Sequence, residues 1–249
     1  MGAWGRQLAF AFRFFTRIPI PFKLRLTPGD IAGSAKWFPL VGFFEGIIII
    51  ITVFFGSFWI ENLYLLALLC LLMRLLISRG QINGASHAVH GLFASRERVR
   101  IVEIMMDSDL GSMGIAAQVL DILLRYVLYQ QLFFSMSVQS ALPIILVACM
   151  SGKVAMSTAV GTSNSVFKRD RLIDDSSFWV ALMAGASAAL IAFILLGLPA
   201  MGLLLVLEVS MGLMVSGAIV LKLGGLTKQS LKLINELGEL AFLYTMLIW

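Results

Sequence analysis

Charge is what this sequence has least of. Only 13% of its 249 residues are Asp, Glu, Lys or Arg, and the mean hydropathy is +0.94. A soluble domain carries about 25% charged residues, so the composition excludes one and leaves an integral membrane protein. Cysteine is nearly absent too. Cys70 and Cys149 both fall in apolar runs, which reads as two small core residues and excludes a disulfide framework. Histidine occurs only at positions 87 and 90. Walker A, Rossmann and CDP-alcohol phosphotransferase signatures are missing; the last needs a full set of aspartates. The N-terminus lacks an apolar core followed by a small-residue cleavage site, so no cleavable signal peptide is expected.

What charge there is carries one sign in excess, a formal +5. In membrane proteins Lys and Arg gather in cytoplasmic loops and meet anionic headgroups. Lipid, not nucleic acid, is therefore the expected partner of the excess.

Apolar runs dominate the rest. Residues 3–21 mix arginines with aromatics: Arg6, Arg13 and Arg17 share one helical face, and Leu8, Phe10, Phe12 and Phe15 another. That pattern predicts an interfacial amphipathic helix, ended by Pro19 and Pro21, with Lys23 and Arg25 just beyond. Candidate spans near the ~20 residues needed to cross follow at Phe38–Phe58, Leu63–Ile77, Ile115–Phe134, Leu142–Val160, Phe178–Leu198, Leu203–Val220 and Leu237–Trp249. The expected architecture is all-α: a polytopic helical bundle of about seven transmembrane helices plus the N-terminal interfacial helix. One membrane-embedded domain covers 1–249, with residues 1–25 interfacial and 80–112 a polar active-site segment.

Of nineteen Lys and Arg, seventeen lie in the N-terminal segment up to the first span and in the loops 74–100, 168–171 and 222–232. The intervening loops have none. This alternation places the N-terminus and all three polar loops on the cytoplasmic side of a plasma (inner) membrane, and the C-terminus outside. The three loops then face one compartment and are available to one site. The charged loop Phe167–Asp175, FKRDRLIDD, reads as a solvated turn.

The longest polar interruption is Gly80–Gly114. Asn83, His87 and His90 are spaced four and three apart and share a helical face; Glu103 and Asp107, four apart, share another. Two such helices facing each other build a metal or phosphate site. Arg96, Arg98 and Arg100 read either as a headgroup-facing helix start or as a diphosphate clamp. Ionisable residues inside apolar spans are expensive unless paired. Asp121 and Arg125, one turn apart, are expected to pair with each other. Glu45 and Glu208 stand alone, and Lys153, with no local partner, is placed in the site or snorkelling to the inner face.

Five segments resemble the cobalamin synthase (adenosylcobinamide-GDP ribazoletransferase) family. Phe15–Pro21 is similar to its F-x-x-R-x-P-x-P, and Trp37–Gly42 to its F-P-x-x-G. Residues 81–91 with 96–98 and 103–114 align onto its central motif. Gly224-Gly225-x-Thr227 is similar to G-G-x-T-G-D, and Glu236-Leu-Gly-Glu239 to E-x-x-E. The family's central H-x-D-G-x-x-D-x-x-D-G loses all three aspartates here, replaced at Asn83, His87 and His90. Lys228-Gln229 stands where the family has Gly-Asp.

The resemblance implies joining of adenosylcobinamide-GDP to α-ribazole or its 5′-phosphate, with release of GMP. It implies Mg²⁺ on Asn83, Glu103, Asp107, Glu236 and Glu239, substrate contacts from Arg96, Arg98, Ser108 and Thr227, and catalytic roles for His87, His90 and Lys153. Its partners are the nucleotide-activated corrinoid, α-ribazole and membrane lipid, with no nucleic acid and with self-association allowed. Three readings stay open. The acids still hold a divalent ion; or His87 and His90 make a softer site for Zn²⁺ or Mn²⁺; or the fold is kept for binding or transporting a corrinoid or another phosphorylated ligand without catalysis.

Overall fold

A computed structural model describes residues 2–20, 25–167 and 170–249. The expected features at Pro21, Lys23, Lys168 and Arg169 lie outside the described residues. The described chain is helical: α1 Ala3–Phe15, α2 Pro28–Ala32, a 3-10 turn Gly33–Trp37, α3 Phe38–Gly56, α4 Leu63–Ile77 and α5 Gln81–Ala94. It continues through α6 Arg98–Met106, α7 Ser112–Ser135, α8 Val138–Thr162, α9 Phe178–Leu196, α10 Leu198–Leu223 and α11 Lys228–Ile248.

Among the described residues, five helices are long and apolar enough to cross a membrane: the run Pro28–Gly56 that contains α3, and α7, α8, α9 and α10. The protein is an all-helical membrane protein. α4 has the expected bounds but only 15 residues, short of the ~20 a crossing needs. α11 departs most from the expectation. It starts at Lys228, well before Leu237, and buries Asn235, Glu236 and Glu239.

α8 is the centre of the bundle, with 94% of its most apolar window buried. Its inner surface is built from small residues, among them Ala148, Ser151, Gly152, Ala155, Ser157 and Ala159. Small side chains let helix backbones approach closely, which is how helices associate in lipid without a hydrophobic drive between them. Glycines of the neighbours complete the fit. A Cβ at Gly42 of α3 would collide with the Cys149 carbonyl, and one at Gly46 would lie 2.9 Å from the Leu146 Cα. One at Gly212 of α10 would lie 2.5 Å from the Ala155 carbonyl oxygen, and one at Gly238 of α11 2.8 Å from the Gly152 Cα.

Two apolar clusters result. One fills the middle of the bundle around Ile49, Leu66, Leu132, Ile145 and Leu204. The other lies beneath the polar end and joins Phe15, Phe38, Ile101, Val160, Leu226 and Leu231.

α1 behaves as an amphipathic helix, with Arg13 exposed and Ala11 and Phe15 fully buried. Phe15 sets its ring edge-on to Phe38 at 4.8 Å. Arg6 turns inward to Asp30 at 2.7 Å, and its guanidinium pKa is raised by that hydrogen bond. The helix stops at Phe15, before Pro19, because Thr16 turns extended and pairs antiparallel with Ser78. The Arg17 amide donates to the Ile77 carbonyl at 3.0 Å, and the Arg79 amide to the Phe15 carbonyl at 2.6 Å. The N-terminal segment is thereby stitched to the α4–α5 junction.

Candidate functional site

The polar segments meet at one end of the bundle. Ser165 and Leu226 form a parallel bridge, with the Val166 amide donating to the Leu226 carbonyl at 3.0 Å and the Leu226 amide to the Asn164 carbonyl at 2.8 Å. Lys222 Nζ donates to the Leu92 carbonyl at the end of α5. Lys228 pairs with Asp170 at 3.5 Å. Lys232 Nζ donates to the Gly80 carbonyl at 3.1 Å, and its stem packs where a Cβ at Gly84 would otherwise sit. The loops after α4, α8 and α10 therefore share one surface with α1.

Below that surface lies a buried ionic lattice. Arg74 of α4 donates from Nε and Nη2 to Glu239, the shortest contact 2.7 Å, and from Nη2 to Glu236 at 3.2 Å. Arg125 of α7 donates to Glu239 at 2.5 Å and to Glu236 at 2.6 Å. Both arginines and both glutamates are essentially inaccessible. Two guanidiniums and two carboxylates cancel, which is what lets four ionised groups sit in a low-dielectric interior. Asp121, expected to be the partner of Arg125, stands farther off at 3.5 Å. That pair forms as expected, and the two shorter contacts from α11 add to it. Arg74, counted by sequence with the following loop, is in the last turn of α4.

Lys153 and Glu45 form a second buried pair at 2.7 Å, joining α8 to α3. Lys153 Nζ also donates to the Cys149 carbonyl at 2.9 Å and sits 5.0 Å from the centre of the Phe15 ring. The lysine that looked unpartnered is thus tied down in the core and does not snorkel. Glu208 of α10 is fully buried near Gly238, and among the described residues neither carboxyl oxygen has a hydrogen-bond partner.

The remaining expected site residues sit as follows. His87 is buried on α5, and His90, half-buried, packs against Gly111. Neither Nδ1 finds a hydrogen-bond partner among the described residues. Burial holds the His87 pKa below the usual histidine value; His90 and Lys232 push the same way, and Asp107 opposes them. Asn83 is exposed on the same helix. Glu103 is exposed and pairs with Arg100 at 3.0 Å. Asp107 ends α6 and accepts the Asp109 amide at 3.3 Å in a turn. Ser108, Arg96 and Arg98 are exposed, Arg98 beside Gly224. Thr227 is buried, and its hydroxyl caps α11 by accepting the Ser230 amide at 3.1 Å.

A resident Mg²⁺ asks for oxygen ligands gathered around one point. Here Glu236 and Glu239 are held by arginines, and Glu103 by Arg100. Among the described residues no three His, Cys, Asp or Glu side chains come together as a metal site. The protein side chains do not fit a self-contained metal cage. Sequence reasoning had missed Arg74 as a buried anchor, and had missed Arg79, Arg171 and Lys232 at the shared surface. The spacing of Lys228 and Lys232, four apart and so on one helical face, was the available signal.

These features define a polytopic helical membrane protein with a cation-rich polar end braced by a buried ionic lattice. The chain belongs to the cobalamin-5-phosphate synthase family, whose profile matches residues 7–247. It is similar to a protein of Caldanaerobacter subterraneus subsp. tengcongensis named adenosylcobinamide-GDP ribazoletransferase, 29% identical over 248 residues, covering 96% of this chain and 97% of that one. Proteins with the same name from Clostridium botulinum strain Okra (29% over 244 residues, 95% of each chain) and Clostridium novyi (27% over 254 residues, 97% and 96%) are also similar. No solved structure matches the chain.

Proposed function

We propose that this protein is a transferase that joins adenosylcobinamide-GDP to α-ribazole or its 5′-phosphate and releases GMP. The observation that carries the reading is end-to-end similarity: the family match runs from residue 7 to 247, and relatives bearing the transferase name align over 95% or more of both chains. The charge distribution supports a cytoplasmic polar end in the inner membrane, where a nucleotide-activated substrate is met.

In this reading a ribazole hydroxyl attacks the diphosphate phosphorus that bears the corrinoid. One P–O bond forms, the bond to the GMP phosphate breaks, and the hydroxyl proton leaves to a base. Such chemistry is mainly positioning and charge neutralisation. In this reading His87, whose neutral form burial favours, takes the proton, with His90 one turn on. Arg96 and Arg98, exposed at the start of α6, take the phosphate contacts, which the guanidinium fork suits. Lys153 acts only through the core it ties together.

The test is release of GMP from adenosylcobinamide-GDP by the purified full chain in lipid nanodiscs. It is run with α-ribazole, in EDTA and then with Mg²⁺, Mn²⁺ or Zn²⁺. Turnover is expected, and His87→Asn is expected to lower it by about 10²-fold or more. Tight corrinoid binding with no GMP under any of these conditions would reject the transferase and favour a corrinoid-binding or transport protein on the same fold.

A further inference from the structure

At the polar end a cleft of about 720 Å³ opens between α1, residues 167 and 170–172, and the first two turns of α11. Five cationic side chains line it: Arg13, Arg79, Arg171, Lys228 and Lys232. Among the described residues its only lining carboxylate is Asp170, which already pairs with Lys228 and also accepts the Leu172 amide at 3.2 Å. Among the described residues the other four cations have no carboxylate within ion-pair distance.

Two of them are anchored on backbone carbonyls. Arg79 Nη1 donates to the Arg13 carbonyl at 3.1 Å, so α1 and the α4–α5 junction hold these two together. Lys232 is pinned by the Gly80 carbonyl and the bare face of Gly84. Three aromatic residues, Phe10, Phe14 and Phe167, form apolar walls beside the cations. Phe14 is itself braced by a stacked contact with Phe38 at 5.9 Å.

Like charges crowded at the mouth of a low-dielectric cleft repel one another and focus a positive potential, which an entering anion relieves. A divalent cation would add to the repulsion. We infer that this cleft binds a phosphate or diphosphate ester carrying an aromatic ring, held directly by cationic side chains and without a divalent ion. The guanidinium and ammonium groups take the phosphate oxygens through charge-assisted hydrogen bonds. The phenylalanines take the ring, as aromatic side chains stack on bases in other nucleotide sites. The inference deepens the transferase reading and rests on it for the identity of the natural ligand, but not for the binding itself.

The probes are radiolabelled GDP and pyrophosphate, bound to the metal-stripped full chain by equilibrium dialysis in EDTA. GDP is expected to bind in EDTA with an affinity that added Mg²⁺ changes less than threefold. Lys232→Gln and Arg171→Gln are each expected to weaken it about tenfold. Rising salt should weaken it further. Phe167→Ala should remove the preference for GDP over pyrophosphate. Arg171 is exposed on a turn, so its variant tests the idea even if Lys232→Gln misfolds. Binding that requires Mg²⁺, or that both charge variants leave unchanged, overturns the inference.

So does loss of GDP binding on moving from phosphatidylcholine to phosphatidylglycerol nanodiscs, which would mark the cleft as a lipid-headgroup site. GDP binding without GMP release would reject the transferase reading alone. GMP release without metal-free GDP binding would reject this inference alone.

Discussion

Arg125→Met is the sharpest test of how the bundle is held together. The change removes a guanidinium that makes contacts of 2.5 Å to Glu239 and 2.6 Å to Glu236. Met keeps the side chain long, unbranched and apolar, so volume loss is small. What remains is two buried carboxylates facing Arg74 alone, with Asp121 beside them, so one more negative charge is left uncompensated. Breaking one partner of a buried ion pair costs about 3–5 kcal/mol. At roughly 2–4 °C per kcal/mol for a chain of this size, the melting temperature should fall by roughly 6–20 °C.

Glu239→Gln should cost more than Glu236→Gln, because Glu239 takes three of the four Arg74 contacts as well as one from Arg125. The charge-balanced double variant Arg125→Met with Glu236→Gln should recover part of the single-variant loss, since it removes the orphaned charge together with its partner. The assay is tryptophan-fluorescence melting of the detergent-solubilised protein at constant scan rate. An Arg125→Met shift below about 2 °C, or a double variant worse than the sum of its singles, would refute the claim that these charges neutralise one another.

Two further outcomes are expected. His87 has a folded pKa below its unfolded value near 6.5, so the unfolded chain takes up a proton first as the pH falls. Stability from this residue is complete above that value and is lost as pH drops from it toward the lowered pKa. Melts between pH 5 and 8 should show an acid-side decline that His87→Asn flattens, and an unchanged decline would remove His87 as its source. Gly42→Ala should destabilise the α3–α8 contact by about 1–3 kcal/mol, as overpacking does. Gly29→Ala, with open space around its Cβ, should be near neutral in the same melts.

Much of the bundle was legible because apolar run length follows directly from the thickness of the membrane core. α3 begins at Phe38 and α4 spans Leu63–Ile77, as read, and the polar loops do gather at one end. α11 was not legible at its start. Lys228, Lys232, Asn235, Glu236 and Glu239 suppress local hydropathy, so Leu237 looked like the first apolar position. Those glutamates are buried because their partners come from α4 and α7, more than a hundred residues away in the chain.

The Asp121–Arg125 pair was legible from its one-turn spacing, but the closer partners of Arg125 were not. Sequence sees the neighbour one turn off, while the tighter partners arrive from another helix. Lys153 looked free because Glu45, 108 residues earlier, carries no local sign of the match. At the polar end, the aspartate-to-histidine replacements drew the eye to α5. The cationic cleft instead collects five residues from four separated segments, and only the Lys228–Lys232 spacing on α11 is a local sign of it.

The lattice also sets an order on making this protein. Lys153 enters the bilayer after Glu45 has already been synthesised, so its counter-charge is waiting. Arg74 and Arg125 emerge early, and the glutamates that hold them most closely lie on α11, more than a hundred residues later in the chain. Until that helix docks, two guanidiniums must be sheltered by water, lipid phosphate or an insertase. A chain stopped before residue 236 should therefore be retained as an immature intermediate and cleared by membrane proteases.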